Sequence, residues 1–444
     1  MRLTVPQIEI SRKEGFSEEK DIFGRKQFGE KLANLFENSE DEIVVALDAP
    51  WGEGKSTFAK MWQGYVESQR ENSFKTVYFD AFANDYQKDP FLALAAEIYE
   101  LLKDEDQEKK EEFTKKASDA IKSMTRGAIK IGVKAVTGGF IEGTVVDAVE
   151  KDISTMMADQ VDKMIADKLK SSAKDKLALK HFRDFLQEVA LIKGSGNPII
   201  FIIDELDRCR PDFALELIEQ IKHIFSVPKI AFLLVLNRQQ LEASVKARYG
   251  SDVNASLYMQ KFVSLWLMLP RSAQRYDDYG EKYLRLAFKS MLSENENFQN
   301  KLMIETLIEL VKLNKTSYRE IERILSYVAI VHNMSNDTKY YEYYQAMIAF
   351  VCYLKASQAK IYNQLSNVNL TSHDLLNECN FFQIDSSEYS NLSYMKEIIE
   401  FDLADDATRR AMAEKNNTYQ RMSFSGYGKQ LLTIYNMLQT LERK

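Results

Sequence analysis

Proline is scarce in this chain and then stops: there are 7 in 444 residues, and none follows Pro270. A long tract without the residue that breaks helices, with glycine scarce until Gly426 and Gly428, predicts a helical C-terminal region. Cysteine is as rare. Cys209, Cys352 and Cys379 lie far apart and form no C-x-x-C pair, so they support neither a disulfide framework nor a structural zinc site. The 4 histidines, His181, His223, His332 and His373, show no metal-ligand spacing and no nucleophile partner. No stretch approaches the roughly 18 uncharged apolar residues expected of a membrane-spanning helix. Glu9, Arg12, Lys13 and Glu14 interrupt the N-terminus before any apolar run of signal-peptide length. These absences read as a cytoplasmic protein. Positive charge in excess is missing too: the formal net charge is −7, so the whole molecule exerts no pull on nucleic acid, and such contact would need a local basic patch.

What is present is apolar and patterned. At 45% hydrophobic content the chain can bury at least one large core, and its length predicts two or three domains. Asp21 to Glu37, with Phe28, Leu32, Leu35 and Phe36 at helical spacing, reads as an opening turn and an amphipathic helix. Four apolar runs have strand length: Ile43 to Leu47, Thr76 to Asp80, Ile199 to Ile203, and Ile230 to Leu236, with Trp266 to Pro270 as a fifth candidate. Helical segments alternate with them, including Thr57 to Glu67 and, opened by Pro90, Phe91 to Leu102. Strands alternating with helices imply an α/β fold, a parallel sheet covered on both faces.

Two of these runs carry chemistry at their C-terminal ends. Ile43 to Leu47 leads into Ala49-Pro50-Trp51-Gly52-Glu53-Gly54-Lys55-Ser56-Thr57, the pattern of a phosphate-binding loop between strand and helix, with Ala49 standing where the motif has its first glycine. Gly52 and Gly54 let the backbone approach phosphates, whose charge the helix N-terminus and the side chain of Lys55 would meet, while the Ser56 hydroxyl would ligate Mg2+. Ile199 to Ile203 ends in Asp204-Glu205: Asp204 at the carboxyl edge of the sheet would hold the metal, and Glu205 would polarise an attacking water. Asn237, closing the next strand, is placed either to bond a γ phosphate or water, or to cap the helix that follows. Arg208, Arg210, Arg238, Arg319 and Arg323 are the arginines available to stabilise transferred charge, from this chain or a neighbouring copy; none is singled out, and surface ion pairing is the plainer role for each.

At Ile203-Asp204-Glu205-Leu206-Asp207-Arg208-Cys209-Arg210-Pro211 the chain closely resembles the KAP family of P-loop NTPases. Phe23-Gly24-Arg25, the loop from Pro50 to Ser56, Phe79-Asp80-Ala81-Phe82, and Tyr249-Gly250 with Tyr258 to Pro270 extend the resemblance over roughly residues 20 to 335. The resemblance implies a P-loop NTPase sheet with an added strand bearing a catalytic glutamate, ATP as nucleotide, functional roles for Asp207 and Arg208, and a helical lid whose Arg319 and Arg323 reach the nucleotide. Because bacterial members of the family are associated with exclusion of phages, it also implies antiviral defence, in a homo-oligomer or with a partner protein.

Lys55 and Asp204 are much further apart than the two or three strand–helix units of about 30 residues that would join them directly. From Lys103 to about Ser195 the chain is dense in charge and without proline, so four segments are expected: residues 1–102 and 196–275 forming the NTPase domain, 103–195 a helical insertion, and 276–444 a lid and C-terminal helical domain. Many family members place transmembrane helices in this insertion. Here Asp119, Lys122, Arg126, Lys130, Lys134, Glu142 and Asp147 interrupt the apolar positions. Lys122, Arg126, Lys130 and Lys134 make a basic stripe that suits an anionic membrane surface or a nucleic acid, though a solvated face on a packed helix is the preferred reading. Three functions follow: an ATPase that switches conformation or assembly, a nucleotide-stabilised scaffold with little turnover, and a nucleic-acid motor or loader. Tyr340, Tyr341, Tyr343 and Tyr344, and a last helix from Gly428 to Leu441, read as helix packing.

Overall fold

The computed structural model describes the chain except residues 12, 40–41, 72, 104–106, 138–173, 272–278, 295, 297, 336–338, 368–369, 385–389, 416, 425–428 and 440–444, and the side chains of 125–137, 383, 418 and 423–424. Its sheet domain begins with α1 (Lys26–Glu37), whose first turn is tied down by the Asp21 carboxylate, accepting from the backbone N–H of Arg25 at 2.8 Å and of Lys26 at 2.9 Å. Next come β1 (Val44–Asp48), α2 (Lys55–Gln69), β2 (Lys75–Asp80) and the short α3 (Ala81–Asn84). Pro90 opens α4 (Pro90–Leu101) at the position where a missing N–H costs nothing, and Asp89 caps it. Then follow α5 (Gln107–Thr137), α6 (174–193), β3 (Ile199–Asp204), α7 (Pro211–Gln220), β4 (Ile230–Leu236), α8 (Arg238–Tyr249), α9 (Ala255–Met259) and β5 (Leu265–Met268).

Among the described residues these strands form one parallel sheet in the order β2-β3-β4-β1-β5. β4 lies between the strand that feeds the loop and the strand that ends in Asp204, as the added-strand arrangement requires. β3 and β4 are buried along their whole length, which is why they read as unbroken apolar runs. Their side chains alternate between layers. Val45, Leu47, Ile200, Ile202, Leu233 and Val235 pack with Leu32 and Phe36 of α1 and Phe58 and Trp62 of α2. Val44, Ala46, Phe201, Ile203, Phe232 and Leu234 pack with α4 and α7. Phe113, Ala117 and Ala120 of α5 and Phe182, Phe185 and Leu186 of α6 join this second layer, so both described ends of the expected insertion are seated on the sheet core. In the middle of α5, Lys122 is exposed; the side chains of Arg126, Lys130 and Lys134 lie outside the described residues. No helix among the described residues is long and apolar enough to cross a membrane.

Among the described residues that follow, the regular structure is helical, as the missing prolines predict: α10 (Tyr279–Met291), α11 (Lys301–Asn314), α12 (Tyr318–Met334), α13 (Glu342–Ser357), α14 (Ala359–Gln364), α15 (Ser372–Glu378), α16 (Ser390–Leu403), α17 (Asp406–Ala413), α18 (Asn417–Phe424) and α19 (Gln430–Gln439). α13 is apolar all round and is the axis of this unit, with Ala346 to Leu354 buried without a break. α12 starts with a capping box: the Ser317 hydroxyl and backbone N–H both meet the Glu320 carboxylate. Tyr340, Tyr343 and Tyr344 pack onto this core while Tyr341 is exposed. Leu431, Ile434 and Leu438 of α19 are buried in it.

Candidate functional site

The turn after β1 takes its shape from two left-handed glycines, Gly52 at φ +84° and Gly54 at φ +75°. At Gly52 a side chain has no room, because a Cβ there would lie 2.7 Å from the Cβ of Arg319, at the start of α12. The loop is clamped from below. Buried Arg25 donates from Nη1 to the Glu53 carbonyl at 3.0 Å and from Nε to the Pro270 carbonyl at 2.9 Å, and the Glu53 carboxylate, also buried, pairs with Arg271 at 2.6 Å. α2 then starts at Lys55, one turn's N–H groups facing the loop with the positive end of the helix dipole.

Lys55 Nζ donates to the carbonyls of Ala49 at 2.7 Å and Pro50 at 3.1 Å. Burial lowers its pKa, opposed by the carboxylates of Asp207, Asp204 and Asp48. The neighbouring Ser56 hydroxyl reaches Glu205 Oε1 at 3.5 Å, joining residues 149 positions apart in sequence. Asp204 is 1% exposed; its Oδ2 accepts from the Tyr78 hydroxyl at 2.6 Å and its Oδ1 from the Glu205 N–H at 2.8 Å. The register of β2 on β3, Val77 opposite Phe201 and Asp80 opposite Asp204, brings Tyr78 beside that acid. Burial raises the Asp204 carboxyl against these donors, and raises Glu205 against the pull of Arg208, whose Nη1 lies 2.9 Å from Glu205 Oε1. Glu205 itself occupies the left-handed region at φ +59°, which only Gly adopts without cost. Asp207 accepts from the Trp51 indole N–H, pinning the loop to the acidic turn.

These groups line a cavity of about 670 Å³ between the sheet edge, α10 and α12, within the roughly 300–1,000 Å³ of ordinary small-molecule sites. Of the residues expected from sequence, Trp51, Gly52, Gly54, Lys55, Ser56, Thr57, Asp204, Glu205, Asp207, Arg208 and Arg319 line it. Pro50 and Glu53 belong to the loop but not to the lining, and Glu53 is used to hold the loop's shape. Asn237 is also outside the lining: its Oδ1 caps α8, accepting from Gln239 N–H at 3.0 Å and Gln240 N–H at 3.4 Å. Arg323, a turn beyond Arg319, is exposed and outside the lining. Arg210 fastens the β2–α4 loop through the Asp85 and Gln87 carbonyls, and Arg238 pairs with Glu242. Tyr78, Arg25 and Arg271 act at the site without a chemical motif of their own. The register of β2 on β3 is the signal that would have found Tyr78.

A glycine-bent loop feeding a helix, set one strand away from a buried aspartate and glutamate on a parallel sheet, defines a P-loop nucleotide-binding domain. The family model of the KAP family P-loop domain matches residues 25–335, and the chain belongs to that family. Comparison with curated proteins gives no match. Among solved structures, the chain is similar to the ORC2 protein of Aeropyrum pernix. The structure of its ADPNP-ADP complexes has TM-score 0.37 and 14% identity, covering 99% of this chain and 89% of that one. Its ADP form has TM-score 0.35 and 13% identity, covering 81% and 75%.

Proposed function

We propose that this protein binds and hydrolyses ATP with Mg2+ and that turnover rearranges the C-terminal helical unit against the sheet. The observation that carries this reading is the meeting of Ser56 with Glu205 at 3.5 Å beside Asp204, which joins the loop and the acidic strand end in one cavity. The donor set suits magnesium. The Ser56 hydroxyl and the Asp204 carboxylate are hard oxygens, and this ion is ordinarily held by one or two carboxylates plus substrate phosphates rather than by an all-protein cage. In keeping with that, no group of three or more His, Cys, Asp or Glu side chains able to hold a metal occurs among the described residues. Bound here, the ion would neutralise charge on the β and γ oxygens.

In this reading Lys55 exchanges two neutral carbonyl acceptors for phosphate oxygens, a gain because charge-assisted bonds are stronger. Glu205 orients the attacking water, held in place meanwhile by Arg208. Asp207 fixes Trp51 and so the loop tip. Arg319 supplies cationic charge from the lid side of the cavity, and its contact with Gly52 gives phosphate occupancy a route to α12. Asn237 and Arg323 would have to come in from outside the present lining. The family resemblance supports a role in antiphage defence, through a homo-oligomer or a partner protein. ATPase assays test the chemistry: Glu205→Gln is expected to lower turnover at least about 100-fold with ATP binding retained, and Lys55→Ala to lose both. Full turnover in Glu205→Gln would refute the assignment. Plating of phage on cells carrying Lys55→Ala tests the defence role, which is expected to be lost.

A further inference from the structure

Behind the acidic strand end lies a residue that no step of the proposed chemistry uses. β2 and β3 pair in parallel with Tyr78 opposite Ile202 and Asp80 opposite Asp204, so the two-residue alternation of strands puts all four on one face of the sheet. That face is the one α2 covers. The Tyr78 ring packs on the core that Phe58 and Trp62 of α2 build with Ile200 and Ile202, and Lys60 Nζ of α2 lies 5.7 Å from the ring centroid. Held in this way, the side chain carries its hydroxyl along the neighbouring strand to Asp204 Oδ2, to which it donates at 2.6 Å. Tyr78 itself stands outside the cavity lining. What it does for a bound ligand it does through Asp204.

The other groups around this carboxylate show why a donor is needed at that position. Asp204 Oδ1 accepts from the Glu205 N–H at 2.8 Å, which leaves Oδ2 to a side chain. Asp80, directly across the ladder, cannot serve: it caps α3, accepting from the Ala83 N–H at 2.8 Å, and its charge repels that of Asp204. The Tyr78 hydroxyl supplies the donor. A carboxylate that is to hold Mg2+ needs such a partner, because outer donors fix the orientation and basicity of the oxygen that meets the metal. We infer that Tyr78 is a positioning residue for magnesium: its hydroxyl fixes Asp204 and so sets how tightly the nucleotide-loaded protein holds the ion. This rests on the nucleotide reading above. It adds that metal affinity and nucleotide affinity have separate supports, since Lys55 is held by the loop carbonyls of Ala49 and Pro50 and not by Tyr78.

Calorimetry on the full chain with the non-hydrolysable analogue ADPNP, first in EDTA and then over a series of Mg2+ concentrations, is the test. Tyr78→Phe removes the hydroxyl and keeps the ring with its packing. Metal-free ADPNP affinity is expected to change less than about 2-fold in this variant, which also shows that the fold is intact. The Mg2+ concentration that half-maximally tightens binding is expected to rise about 10- to 100-fold, and in ATPase assays raised Mg2+ is expected to restore turnover. An unchanged Mg2+ midpoint, or an equal loss of affinity with and without the ion, would overturn the inference. So would a wild type whose ADPNP binding Mg2+ does not tighten. A wild type that binds no ADPNP under either condition would defeat the nucleotide reading itself.

Discussion

At the scale of single residues, the site is a set of restrictions on side chains as much as a set of functional groups. Gly52 shows this most sharply, and a matched control exists in the same fold. Gly52 and Gly196 both sit at φ +84°, so an alanine at either carries the same backbone penalty of about 1–2 kcal/mol. A Cβ at Gly196 meets nothing within 4 Å, whereas one at Gly52 meets Arg319 at 2.7 Å. Thermal melts and nucleotide titrations are expected to find Gly52→Ala the more destabilising of the two, and to find nucleotide binding lost there and kept in Gly196→Ala. Equal effects would mean that the contact between loop and lid helix is immaterial. Most of the loop and acid residues were legible in the sequence, because the spacing of Gly52, Gly54, Lys55 and Ser56 and the acidic end of an apolar run are local patterns. Tyr78, Arg25 and Arg271 were not legible in role. Their partners are set by strand register and by chain crossings of 126 residues for Tyr78 with Asp204, 245 for Arg25 with Pro270 and 218 for Arg271 with Glu53, which no local pattern records.

At the scale of elements, sequence pattern placed all five strands, and the structure adjusts only their ends and those of the helices. α2 starts at Lys55 rather than Thr57, because the left-handed Gly54 is the residue at which the chain turns into the helix. The last strand covers Leu265–Met268 because Pro270 cannot donate to a ladder. Asn237 satisfied two readings in sequence; the geometry uses its Oδ1 for the cap. What joins elements far apart was hidden. Asp402 of α16, fully buried, accepts from the N–H groups of Gln430 at 2.7 Å and Leu431 at 3.1 Å and so caps α19. Burial pushes this carboxyl up, against the two N–H donors that pull it down. With the folded pKa above the unfolded value of about 3.9, the native state holds the proton more tightly. The resulting penalty is absent below the unfolded value and complete once the pH has passed the folded one. Asp402→Asn, neutral throughout, puts an amide donor against one of the two N–H groups and is expected to lower Tm. That deficit is expected to shrink as pH rises from about 4 to about 8, and a deficit that grows over this range would contradict the sign.

At the scale of the whole molecule, one core covers each face of the sheet and a third fills the helical unit, with the cavity where sheet edge and helices meet. Phe23, stacked on Tyr318 at 4.3 Å, belongs to the helical core although it precedes the first strand, so the segment leading into α1 is packed into the helical unit. A ligand at the loop would touch both sides of this junction, the route by which we propose that nucleotide is coupled to shape. We propose that one triphosphate spans the loop and the acidic pair. Calorimetric titration of Glu205→Gln with Mg-ATP tests it most directly, because the ligand persists during the measurement. A saturable one-site heat, abolished when Lys55→Ala is added to the same chain, is the expected result; no heat at millimolar nucleotide would contradict the account.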